Sequence, residues 1–219
     1  MEVFMNNRIK LFGIIAIVAM IGFSMAACEL DHKHTLNVET GLCTECGALM
    51  YSLGDTGPGG GTIFYRYEAG FGAHGENWHY LEAAPDNQHT SMIWSGTSEN
   101  IIEAEQKGIG YGQANTEKII EVHSNTSPPD TSANNAAMCA AAYRGPKNKS
   151  DWFLPSESEL EKMRDAKTHV KGIMTGDFWS STQQSSSAAR TVSFSYPMNG
   201  GAAKGITGTR PGVRAVRAF

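Results

Sequence analysis

The sequence predicts an α+β domain with short strands, two or three helices and long loops. Three observations carry that prediction. The stretch GDTGPGGGTIFYRY, Gly54 to Tyr67, runs from a glycine-rich turn into β-branched and aromatic residues, which is strand composition. Ser156 with Glu159 three residues on, ahead of Leu160 and Met163, has the form of a helix capping box. The last third alternates Ser and Thr with apolar residues before closing on GVRAVRAF, a strand. With 24 glycines and 18% charged residues, the chain suits a loop-rich extracytoplasmic domain better than a helical bundle.

The elements follow in order. The glycine-rich loop is not a phosphate loop, because the Walker pattern needs a Gly-Lys-Ser/Thr ending and no lysine is present. Counted from Gly57, the sixth place of a dinucleotide fingerprint is Thr62, and a strand follows instead of a helix. Glycine here supplies positive φ angles, and Pro58 fixes one turn position. A second strand, WHYLEAAP, places Trp78, Tyr80 and Leu81 at the core and turns His79 outward. His74 and His89 lie in polar loops. ANTEKIIEVH predicts a short helix capped by Asn115 or Thr116, with Ile119, Ile120 and His123 near one face. SNTSPPDTSANN is a loop because of its prolines, and SANNAAMCAAAYRG is a second helix stopped by Gly145 and Pro146. Glu157, Glu159 and Glu161 of the third helix complement its N-terminus and face solvent.

The chain opens as an export signal. Arg8 and Lys10 precede an apolar run from Leu11 to Met25 that is somewhat short for a membrane span and is followed by small residues. FSMAAC ends that run on Cys28 and resembles a lipobox, in which the cysteine becomes the lipid-carrying first residue. Met25 stands where leucine is usual, so ordinary signal cleavage and an uncleaved helical anchor are the alternatives. Residues 1–27 are thus read as a lipoprotein signal peptide, 28–53 as a tether and 54–219 as the main domain.

Cysteine use divides between tether and domain. His32, His34, Cys43 and Cys46 have the ligand types of a structural zinc site, with a Cys43–Cys46 disulfide or the remnant of a longer repeat as alternatives. No other cofactor is expected. Cys139, within an alanine-rich helix, reads as a small apolar residue.

The motif series GDTGPGGGTIFY, WHYLEAAP, ANTEKI, DWFLPSESEL, FWSST and VRAVRAF resembles the C-terminal domain of the Legionella collagen-like adhesin. That domain recurs in spirochaete and other bacterial surface lipoproteins, and the resemblance covers residues 54 to 219. It implies a C-type-lectin-like fold: a small, mixed, mostly antiparallel sheet with helices and long loops. The collagen repeat of the adhesin is absent here.

Two function classes follow: a surface binding module, and an enzyme related to the formylglycine-generating family. The enzyme class needs cysteines near the end of the domain, but the last is Cys139, and neither His-Glu-x-x-His nor Gly-x-Ser-x-Gly occurs. A structural envelope lipoprotein without a soluble ligand is the remaining alternative. From Phe178 onward the chain has no Asp or Glu but carries Arg190, Lys204, Arg210, Arg214 and Arg217. Arginine forks match sulfate and carboxylate groups, whereas hydroxyls and aromatic faces suit sugar rings. The expected ligand-binding residues are therefore Trp179, Ser180, Ser181, Arg190, Tyr196, Asn199, Lys204 and Arg210. The expected partners are an anionic glycan or an acidic protein patch, bound without calcium, and the membrane through the lipid anchor. Nucleic acid is not among them. The expected location is the bacterial cell envelope, at the outer membrane or cell surface.

Overall fold

The computed structural model describes residues 33–96, 99–125, 135–170, 172, 175–205 and 210–219. Cys28 and His32 lie outside them. The described residues form an α+β fold of three helices and two antiparallel three-stranded sheets. In chain order come β1 (Thr62–Phe71), β2 (Trp78–Ala83), α1 (Gly112–Asn125), α2 (Ala136–Ala142), α3 (Glu157–Asp165), β3 (Asp177–Ser185), β4 (Ala188–Ser193), β5 (Asn199–Ala203) and β6 (Val216–Ala218). The first sheet has the order β1-β2-β6 and the second β3-β4-β5. A single parallel bridge, Phe178 to Gly212, joins β3 to the segment entering β6, so the one sheet expected from sequence is divided. No helix among the described residues is long and apolar enough to cross a membrane.

The glycine-rich loop is a turn into β1, as its composition predicts, and it also grips an anion. The amide of Gly59 donates to Glu82 Oε1 at 2.8 Å, and that of Gly61 to Oε2 at 2.9 Å. Glu82 on β2 is fully buried. Arg217 on β6 completes the clasp, with Nη1 2.9 Å from Glu82 Oε1 and Nε 2.6 Å from Asp151. A Cβ on Gly59 would stand 2.5 Å from that Glu82 oxygen, and one on Gly61 would strike the Ala83 carbonyl. Glycine is therefore required for close approach.

A second carboxylate is held in the same way. Ser156 caps α3 in the expected capping box, but Glu159 does not face solvent. Its side chain is fully buried, accepting from the amides of Gly110 at 2.8 Å, Gly112 at 3.3 Å and Ser156 at 2.8 Å. Glu157 is also buried, leaving only Glu161 of the three near solvent. The helix N-terminus needed an acidic partner, and close packing of the 110–112 turn sealed Glu159 in. α1 starts earlier than expected, at Gly112, so Asn115 and Thr116 are interior helical residues. Thr116 bonds the Gly112 carbonyl and accepts from the Leu154 amide.

Residues 33–53 do not hang free. Leu36 pairs with Cys43 and Leu42 with Leu49 in short antiparallel bridges. Tyr51, Tyr80 and Phe219 pack together, with Leu36, Leu42 and Leu49 against them. The Tyr80 hydroxyl donates to the Gly41 carbonyl at 3.0 Å and accepts from the Tyr51 amide at 3.2 Å. These residues form a knuckle built onto the domain, with Leu36, Leu42 and Leu49 half-buried against Tyr51, Tyr80 and Phe219.

Two outcomes follow. In urea unfolding, Glu82→Ala should cost about 3–5 kcal/mol by leaving two buried amides without an acceptor and the buried Arg217 with Asp151 as its one carboxylate. Tyr80→Phe should cost about 1–3 kcal/mol through the orphaned Tyr51 amide, and a neutral result would detach the knuckle from the core. The second concerns pH. Burial pushes the Glu159 carboxyl up to about 7, against the pull of its backbone N–H partners. The native state then keeps a proton that the unfolded chain, near 4.5, has released. Stability should therefore fall as pH rises from about 4.5 to 7, by about 3 kcal/mol at most. Urea midpoints at successive pH values should show this fall, and Glu159→Gln should flatten it.

Candidate functional site

The residues expected to bind ligand separate into two sets. Trp179, Ser180 and Ser181 at the start of β3 are buried, at 1%, 0% and 0% exposure, and form no surface. Trp179 Nε1 donates to the Met92 carbonyl at 2.7 Å, while Trp94 Nε1 donates to the Ser180 carbonyl at 2.7 Å. Ser181 donates its amide to Pro155 and accepts a side-chain bond from Asn115 of α1. These landmarks fasten the second sheet to the helices. They are corrected from ligand contacts to core fastenings, because α1, β4 and the 92–94 loop packed around β3 take up their polar atoms.

The basic residues are mostly withdrawn as well. Lys204 is buried, its Nζ 4.7 Å from the Trp94 ring centroid and bonded to the Glu99 carbonyl at 3.0 Å and to Gln183. Burial brings its ammonium down to about 8, against the opposing charges of Glu105 and Glu99. Lys204 is thus corrected to an interior residue. Arg190 is half-buried, with Nε 3.8 Å from Glu157. Arg214 and Arg217 are buried, and Arg217 pairs with acidic residues as its strand position suggested. Arg210 alone among these five is exposed. The charge step along the sequence therefore does not become a basic surface.

What remains is a groove of about 220 Å³ on the β4–β5 hairpin, lined by Asp177, Thr191, Ser193, Tyr196, Met198, Asn199 and Gly200. Tyr196 is 71% exposed and Met198 68%. Asn199 spends its side chain elsewhere: Oδ1 accepts from Arg164 at 2.8 Å and Nδ2 donates to Glu161. It is a bracket between β5 and α3. Met198, Asp177, Thr191 and Ser193 were not read as site residues, since nothing local distinguishes them until the hairpin folds. The one usable signal was the pairing of Tyr196 with Met198 around Pro197.

The knuckle gathers three of the four expected metal ligands. Ligand atoms of His34, Cys43 and Cys46 all lie within 4.8 Å of one another. His34 Nδ1 is 3.4 Å from Cys43 Sγ and 3.7 Å from Cys46 Sγ. Burial raises the Cys43 thiol, but the amides of Cys46 and Glu45 and the His34 ring outweigh it and bring it down to about 6. Cys43 is a free thiol, so it is not joined to Cys46, correcting that alternative. With Cys46 as a thiolate, the three donors could hold a metal ion and would leave one tetrahedral position for a fourth ligand. Cys139 is free and half-buried, and burial pushes its thiol up, the opposite of an activated nucleophile.

No family model matches the chain, and no curated protein matches it significantly.

Proposed function

We propose that the protein is a cell-envelope lipoprotein, anchored through Cys28, whose main domain is a lectin-like binding module rather than an enzyme. The observation that carries this reading is the hairpin groove, where Tyr196 and Met198 stand exposed above Asp177, Thr191 and Ser193. Large apolar side chains left together at solvent mark interaction sites. A tyrosine face suits a sugar ring, and the carboxylate and hydroxyls suit its hydroxyl groups.

The ligand class is a glycan read by ring face and hydroxyls, with little dependence on net negative charge. Lys204 is interior, Arg190 faces Glu157, and Asp177 adds a negative group to the groove. One lining carboxylate is too few for a calcium site, which takes six to eight oxygen ligands, so binding is calcium-independent. On a glycan array run with calcium and with chelator, bound glycans should be the same in both conditions. Tyr196→Ala should weaken them about tenfold, on the scale of one lost stacking contact. Signal that disappears with chelator, or that is unchanged in Tyr196→Ala, would refute this site.

We further infer that the knuckle holds a structural zinc on His34, Cys43 and Cys46, with Cys46 reduced. Zinc would close the turn that presents Gly41 and Tyr51 to Tyr80. Protein reconstituted with zinc under a thiol reductant should carry about one equivalent by metal analysis, and Cys43→Ser should lose most of it. Equal zinc in both proteins would exclude this centre.

A further inference from the structure

A second cavity, of about 290 Å³, lies between β1 and the end of α3. The sequence supplies it from two runs. On β1, Phe64, Tyr65 and Arg66 follow one another. At the end of α3, Lys162 and Ala166 stand four residues apart, with Asp165 between them and His169 one turn further on. Leu53, at the exit of the knuckle, forms another wall. Phe64 and Ala166 give a buried apolar floor, whereas Arg66, Lys162, Asp165 and His169 are exposed around the rim.

The charges at this rim do not cancel. Asp165 lies 3.6 Å from Arg164 Nε, outside the cavity lining, and is offset from there. Among the described residues neither Arg66 nor Lys162 is in an ion pair. Arg66 Nη1 donates to the Tyr51 carbonyl at 3.2 Å, which steadies the side chain. Its Nε and Nη2 are left as a two-donor edge that matches a carboxylate. The carbonyls ending α3 do not oppose an anion freely, since those of Lys162 and Ala166 accept from the amides of Ala166, His169 and Val170.

We propose that this cavity binds a small carboxylated sugar or similar ring-bearing organic carboxylate. Arg66 and Lys162 take the carboxylate, the Phe64–Ala166 floor and Tyr65 take the ring, and Asp165 and His169 bond its hydroxyls. The volume admits one ring, not a chain. This site is separate from the Tyr196 groove, and it places the preference for anions away from the C-terminal tract.

The test is ligand-observed NMR and calorimetry on the full chain in detergent, with glucuronate as probe and glucose as its uncharged counterpart. Glucuronate should bind at least about tenfold more tightly than glucose, with an affinity that falls as salt rises. Arg66→Ala with Lys162→Ala should weaken glucuronate by at least about tenfold with only a small fall in thermal midpoint, because both side chains are exposed and Arg66 gives up one bond to the Tyr51 carbonyl. Lys162→Glu alone provides a charge reversal should the double variant fail to fold, and it too should weaken binding. Tyr196→Ala should leave glucuronate binding intact, which separates failure here from failure of the hairpin groove. Equal affinity for glucuronate and glucose, no binding of either, or full binding by the charge variants would overturn the proposal.

Discussion

The buried Glu82 carboxylate is the constraint on which the first sheet and its surroundings depend. It accepts on one side from the Gly59 and Gly61 amides and on the other from Arg217, which also reaches Asp151. Four separated parts of the chain, namely the opening turn, β2, the loop before α3 and β6, meet at this one group. A lone carboxylate without these donors would be too costly to bury. Its presence therefore fixes the register of β2 against β6, where Glu82 stands opposite Arg217. It also explains three glycines of the turn, since a Cβ on Gly57, Gly59 or Gly61 enters the space of the carboxylate or its strand. The turn shares with phosphate loops the use of backbone amides to hold an anion, but the anion belongs to the protein.

Glu159 repeats the device at the helical end. A carboxylate from a capping box reaches beyond its own helix to the Gly110–Gly112 turn that starts α1. Each acidic group is local in sequence to one element and holds a second that is distant. The two clasps let a loop-rich chain with modest apolar content fix long connections without regular structure. Lys204 shows the converse for a cation, where an aromatic face and two oxygens replace solvent.

The parts of the fold legible in the sequence are those set by short-range chemistry. The strand after the glycine turn, the Ser156–Glu159 box, the alanine-rich helix α2 and the cysteine pair of the knuckle all involve residues within a few positions of one another. What was not legible required knowing which distant segment would cover a side chain. Trp179, Ser180 and Ser181 carry polar atoms that look available until the Met92–Trp94 segment and Pro155 satisfy them. The basic residues after Phe178 could be counted but not placed, because a long aliphatic stem lets Lys204 fold inward as readily as outward. Arg66 and Lys162 are ordinary surface residues in their own elements and meet only because α3 packs across β1.

The knuckle has a geometric consequence for a lipid-anchored chain. Because residues 33–53 are fastened to the domain through Tyr80 and the leucines around Phe219, they add no length to a leash. Were the proposed anchor at Cys28 in place, the five steps from Cys28 to Lys33 would reach at most about 18 Å. If the chain is anchored at Cys28 as proposed, the folded body would ride low on its membrane. Its partners would have to come to the surface, and its own diffusion in the bilayer would set how often it meets them.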